Sequence, residues 1–564
     1  MNNLEKQKTN KRRGNAHNTA TLHIRYIAIS CIFIFFILLS SFSVFSQCLP
    51  SNKNVRLEVN NISALFKTNG AHFFREKAEF EVPKGSGKTS FFAGSLWLGG
   101  KDEQNELHLA AMTYGMRGKD YWVGPVSNAE GSALTYYDKF WDITKAEIEY
   151  HIQHYATPGY TVSEKIASWP ANGRSEYGES SRLAPYVSVS GNSTYTPEEG
   201  DYPLIRGDHA IFWINNDKCT HTESKGKSLE VEIMSMAYGY DSPTYELKHT
   251  IFISYQIRNK SANNYKDFYI GFFADFDIGY GDDDYIGCDP DLNLAYGYNG
   301  NEIDGSGQPQ AYGANPPAQG VMFLNQKMNA FMYMKNSDPG PMGDPSEPEQ
   351  FYNFMQAKWK DGTPLTLWGS GYEPESTEYT HFAFAGNPVD ETGWTEITPN
   401  GSGSEPDLPG DRRGLLSAGP FTLSAGESIC IDIALPYTRD LEEDNISIVA
   451  LLKQNTQAIQ QFYNNQNYTS WCAGGIGMKE HASNSENIQI FPNPTTGALR
   501  ISMNNEPLIM NNVEVFDVFG KKLLSHTVNC SPFTVLDISD LARGIYFIKI
   551  VTDSGEVVRK VVKQ

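Results

Sequence analysis

At 564 residues the chain is longer than one hydrophobic core can organise, and 40 % hydrophobic with 13 % aromatic content excludes global disorder. A formal net charge of −20 excludes a nucleic-acid partner, which needs a Lys/Arg footprint; the basic cluster, Lys6 to Arg13, lies upstream of an apolar run. With 31 Tyr, 31 Phe, 49 Gly and 29 Pro, short strands and tight turns are favoured, so the predicted fold class is mainly β: a multi-domain β-sandwich architecture with a few short helices.

Basic residues precede the apolar run 27–39, which is followed by the small and polar residues of 40–47. A run this short reads as a secretory leader rather than a membrane span, so residues 1–46 are assigned as a signal peptide cleaved after Ser46. No later stretch is long and apolar enough to span a bilayer, so no transmembrane helix is expected in the mature chain. Outside the leader, six cysteines are widely spaced without a CxxC pair; an oxidising exterior would allow disulfides whose pairing the sequence does not specify.

Residues 54–74 and 90–115 alternate apolar and polar positions around Gly and Asn and read as hairpins. Residues 139–156 read as one amphipathic helix, and 163–173 as a shorter one ended by Pro170 and Gly173. Segments 229–240, 249–261 and 268–279 give the clearest strand signal and predict neighbouring antiparallel strands of a sandwich. Further strands are expected at 320–336, 381–386 and 427–438. Residues 444–466 form the strongest predicted helix, capped by Asp444 or Asn445, with Ile448, Leu452, Ile459 and Phe462 on one face. The central region is thus 47–472, closed by that helix, and 473–487 is a small, polar linker.

The last segment, 488–564, is a small all-β unit. PNP at 492–494 interrupts strand pairing, because proline lacks a ladder donor, and Gly497 permits a turn into LRISM. VEVFDVFGKKL is strand, turn, strand. Residues 542–563 form a hairpin in which Tyr546, Ile548 and Ile550 alternate against Ile545, Phe547, Lys549 and Val551. The order PNPTTG, VFDVFGK, LDISDLARGIYFIKI and KVVKQ resembles the C-terminal sorting domain (type A) of the type IX secretion system of Bacteroidetes. That resemblance implies an Ig-like β-sandwich read by an outer-membrane translocon. It further implies removal by a sortase-like peptidase, then release or attachment to anionic lipopolysaccharide. Secreted or cell-surface localisation follows. Residues 80–100, 168–173, 200–217, 273–289 and 409–427 resemble an uncharacterised module of large secreted Bacteroidetes proteins, which implies location and architecture only.

One loop carries candidate chemistry. Asp275, Asp277, Asp282, Asp283, Asp284, Asp289 and Asp291 fall close together, with Gly279, Gly281 and Gly287 between them. Calcium takes six to eight hard oxygens at about 2.3–2.6 Å, and glycine lets a backbone curl around it. The twelfth position from Asp275 is Ile286, so this is not an EF-hand. The other reading is a solvated acidic turn. Asp201 and Asp208 form a second, weaker oxygen-rich loop. GSGKT at 85–89 lacks the upstream Gly of a phosphate loop, Val82 standing there. RGD at 206–208 is a bare tripeptide match. His151 and His154 lack a third ligand nearby. No GxSxG and no recognisable Cys/His nucleophile context is present, so no catalytic residue is assigned. Two functions remain: an exported structural, adhesive or binding protein with a calcium-stabilised loop, or a secreted hydrolase of polysaccharide or peptide.

Overall fold

A computed structural model of the chain describes residues 48–466, 488–503, 510–517, 521–531, 533–552 and 555–564. The assigned leader and the linker 473–487 lie outside the described residues. The chain is mainly β, with several antiparallel sheets and few short helices.

Two large sheets dominate the central region, beside a four-stranded sheet of Asn54–Leu57, Ser63–Lys67, Phe80–Glu81 and Thr89–Phe91 and two two-stranded ones. The larger has nine strands, in the order Asp284–Asp289, Leu294–Asn299, Ala318–Phe323, Ser428–Thr438, Thr250–Asn259, Val231–Gly239, His209–Asn216 and Trp122–Val123, with Trp141–Thr144 also pairing on His209–Asn216. The smaller has six, in the order Ala330–Lys335, Arg412–Leu423, Tyr265–Phe276, Ala93–Lys101 and Ala71–His72, with Leu107–Ala111 also on Ala93–Lys101.

Strand alternation sets the layers. Along His209–Asn216, Ile211 and Trp213 enter the core between the sheets, while Ala210, Phe212 and Ile214 enter a second core on the opposite face. Both faces of the large sheet are therefore buried, which explains its apolar strands. The second core is closed by the helix Ile448–Asn465, through Ile448, Val449, Leu452 and Ile459. Residues such as Ile148, Trp169 and Tyr186 close the rest of that core. Each large apolar side chain so buried contributes about 1.5–3 kcal/mol.

Several local expectations change on folding. The 139–156 helix begins only at Lys145, because Trp141–Thr144 pairs with the His209–Asn216 strand and Thr144 then caps the helix in a reciprocal box with Glu147. Of the three strongest strands, the first two are antiparallel neighbours, but Tyr265–Phe276 crosses into the other sheet. The 320–336 segment divides into Ala318–Phe323 and Ala330–Lys335, one in each sheet. Residues 381–386 form no strand and make a single bridge, Phe331 to Phe382. At the long helix, Asp444 accepts hydrogen bonds from the Ile446 and Ser447 amides, at 2.9 and 2.7 Å, fixing the turn that enters it.

Cys48 and Cys219 form a disulfide across 171 positions, Cys430 is disulfide-bonded as well, and Cys288 is a buried free thiol. The C-terminal unit has a three-stranded and a four-stranded sheet around Leu499, Ile501, Val513, Val515, Ile548, Ile550 and Val561. The predicted alternation holds: Tyr546, Ile548 and Ile550 point inward. Asn493, within PNP, accepts from the Val562 amide at 2.9 Å and donates to the Lys560 carbonyl at 2.8 Å, clamping the last strand. Lys563 is buried and donates to the Ser539 carbonyl at 2.6 Å.

Candidate functional site

The Tyr265–Phe276 and Arg412–Leu423 strands pair so that Asp275 lies opposite Arg413. Consecutive arginines leave the second strand on opposite faces. Arg412 Nε donates to the buried Glu396 at 2.7 Å, and Arg413 turns toward a group of aspartates. Its Nε is 3.5 Å from Asp275 Oδ2, Nη1 is 3.1 Å from Asp344 Oδ1, and Nη2 is 3.2 Å from Asp411 Oδ2. The Tyr114 hydroxyl donates to Asp275 Oδ2 at 2.7 Å.

Asp275, Asp277 and Asp411 each place a carboxylate oxygen within 4.8 Å of the others. Asp275 is 2 % exposed, and its Oδ1 and the Oδ1 of Asp411 are buried with no hydrogen-bond partner among the described residues. Burial raises the Asp275 carboxyl to about 7, despite the Arg413 guanidinium opposing the shift. Burial, reinforced by the Asp275 charge, pushes Asp277 well above the ordinary carboxylate range, and burial raises Asp411 too. Such groups call for positive charge. A Cβ at Gly281 would collide with the Asp277 carboxylate, so a larger residue there would displace that side chain from its present position. Asp277 and Asp411 open onto a cleft of about 640 Å³ whose walls include Glu79, Glu81 and Asp282.

The remaining aspartates of the predicted loop go elsewhere. Asp282 is exposed on the cleft rim. Asp283 accepts from Asn299 Nδ2 at 2.7 Å and from the Gly305 amide at 3.0 Å; Asp284 is fully buried and accepts from the Ile278 amide at 2.9 Å. These two shape the loop that presents Asp277. Asp304, which the sequence did not single out, shares that task by accepting from the Tyr280 and Tyr312 amides. Asp289 pairs with Lys453 on the long helix at 3.0 Å, and Asp291 lies by a separate groove beside Gln457 and Gln460.

In the second candidate loop Asp201 is fully buried and accepts from the Val189 and Thr196 amides, at 2.7 and 2.8 Å. Asp208 caps a turn by accepting from the Asp241 amide at 3.0 Å. The two carboxylates thus serve different turns. His151 lies between the Tyr160 hydroxyl and the Asp201 carbonyl, and His154 bonds the Tyr150 carbonyl. Arg206 of the RGD triplet is held inside, 2.8 Å from Asp432. Trp97, Trp122 and Trp394 are core residues.

Asp411 and Arg413 were missed as site residues because they join the aspartate loop only through strand pairing. The signal was present in GDRRG, two adjacent arginines beginning an apolar strand. Among the described residues no helix is long and apolar enough to cross a membrane.

The described residues of 488–564 form two small sheets with a clamped final strand. The family model for the secretion system C-terminal sorting domain matches residues 489–564, and the chain carries a type IX sorting domain there. The protein is therefore cargo of that system, directed to secretion and the cell surface. No curated protein sequence matches the chain. A solved structure of a polysaccharide lyase is similar at 8 % identity and a TM-score of 0.18, covering 68 % of this chain. The chain spans 37 % of that lyase's length, and the likeness is too slight to carry an argument.

Proposed function

We propose that this type IX cargo has a structural, adhesive or binding role, and that a calcium ion held by Asp275, Asp277 and Asp411 stiffens the cleft of its central sandwich. One observation carries the reading: Asp275 is buried, its Oδ1 has no hydrogen-bond partner among the described residues, and its carboxylate lies within 4.8 Å of those of Asp277 and Asp411. Oxygens on opposite sides of a calcium ion stand up to about 5 Å apart, so one ion can reach all three. The donor set is oxygen only, which suits calcium and not zinc. Backbone carbonyls and water would supply the further ligands.

The experiment is a calorimetric titration of EDTA-treated protein with calcium chloride, beside the Asp277→Asn variant. Wild type should give a saturable heat and a raised melting temperature, and the variant neither. Absence of both from wild type removes calcium from the account.

A second reading, a secreted hydrolase of polysaccharide or peptide, draws support from the same cleft, which carries Glu79, Glu81 and Asp282 as well. Glycoside hydrolysis needs two carboxyl groups on opposite sides of a sugar. Asp275, Asp277 and Asp411 converge on a single point instead, which favours an ion. Turnover of a polysaccharide or peptide that vanishes in Glu79→Gln or Glu81→Gln would reverse the preference. Processing by a sortase-like peptidase and attachment to anionic lipopolysaccharide complete the proposed route.

A further inference from the structure

We infer that the cleft above Asp277 and Asp411 is a cation-dependent binding site for a neutral saccharide, whose vicinal hydroxyls complete the coordination of the ion. This rests on the calcium reading and extends it from scaffold to ligand. Asp275 is buried behind the site, whereas Asp277 and Asp411 line the open cleft, so an ion among them has one protein face and one face toward about 640 Å³ of space. That volume is far larger than a hydrated ion needs and lies in the range of small-ligand pockets.

Charge selects the class of ligand. Seven carboxylates, from Glu76, Glu79, Glu81, Asp275, Asp277, Asp282 and Asp411, stand in or directly behind the cleft against four basic side chains: Arg56 and Arg75, both paired with Glu79, Arg413 beside Asp275 and Asp411, and Lys77. A divalent ion therefore leaves the cleft about one charge negative, so an anionic ligand gains no net attraction there. A hard cation still takes neutral oxygen donors, and the remaining carboxylates accept hydrogen bonds from hydroxyls. Tyr280 and Phe92, both half-buried in the wall, offer apolar ring surface for the carbon face of a sugar.

The test uses the immobilised full-length secreted protein. Mannan, dextran and galactan are passed over it as neutral probes, and polygalacturonate as the anionic probe, each in calcium chloride and in EDTA. At least one neutral polysaccharide should be retained in calcium and lost in EDTA, while polygalacturonate is not retained. Tyr280→Ala or the exposed-site variant Glu76→Gln should weaken retention about tenfold with an unchanged calcium isotherm. Calcium heat without retention of any neutral probe overturns the inference and leaves the calcium reading standing. Preference for polygalacturonate, or retention indifferent to EDTA, overturns it also. If calcium gives no heat, both fall together.

Discussion

Asp275 and Arg413 face each other as register partners on neighbouring antiparallel strands, and the same guanidinium reaches Asp344 and Asp411. One side chain, almost wholly buried, thus offsets three carboxylates. Arg413→Met should destabilise the protein by about 3–5 kcal/mol, since it strands buried like charges without a counter-ion. Arg413→Lys should recover little of this, because an ammonium lacks the planar fork that serves three acceptors. Urea denaturation measures both; a lysine variant as stable as wild type would refute the three-way arrangement.

The raised carboxyls make stability depend on pH in an unusual sense. The folded state holds Asp275 protonated up to about 7, whereas an unfolded aspartate releases its proton near pH 4. The contribution of this group is full below about pH 4 and is lost as pH rises through 7. In EDTA, the melting temperature should therefore fall from about pH 5 to about pH 8, and Asp275→Asn should flatten that fall. Calcium replaces the protons, so its stabilising effect should be larger at the higher pH and absent from the variant. Calorimetry at both pH values checks this; a calcium effect that shrinks with rising pH would contradict it.

The Cys48–Cys219 bridge closes a very long loop, 171 positions, and so restricts the unfolded chain. The double variant Cys48→Ser/Cys219→Ser should lose about 2–5 kcal/mol of stability. Thermal melts of the variant, compared without reductant so that the Cys430 bond stays intact, give the measurement. Unchanged melting would mean that the bridge adds no constraint.

Removal of residues 489–564 should abolish appearance of the protein outside the cell while its central region remains folded. Fusing 488–564 to a periplasmic reporter should export the reporter. Fractionation followed by immunoblotting reads both, and normal export of the truncated chain would end the assignment of this module as the export signal. Within the module, Gly497→Ala should lower export more than a surface substitution, because a Cβ there would collide with the Ser539 hydroxyl and crowd its Cα.

How much of this was legible beforehand depends on how local the signal is. The DFDIG stretch exposed Asp275 and Asp277, because short-range spacing of carboxylates and glycine is visible in one dimension. Asp411 was not, since it joins them through pairing between strands more than a hundred residues apart. Residues 139–156 read as one helix because Ile143, Ala146, Ile148 and Ile152 recur at mixed helical spacing. Thr144 instead ends a strand and caps a helix, and nothing nearby announces the partner strand. HFAFAG has the alternation of a strand but found no ladder, only a bridge at Phe382. Burial of the large sheet on both faces likewise needed the helix and the 137–205 segment in place.

The Ile448–Asn465 helix leads toward the sorting module and rests on the large sheet, where Tyr463 donates to Asp432 and Asp432 pairs with Arg206. Asp432 belongs to the Ser428–Thr438 strand, hydrogen-bonded on both edges by Thr250–Asn259 and Ala318–Phe323. The contact that anchors the end of the helix is therefore made to an interior strand, held by ladder bonds along both of its edges.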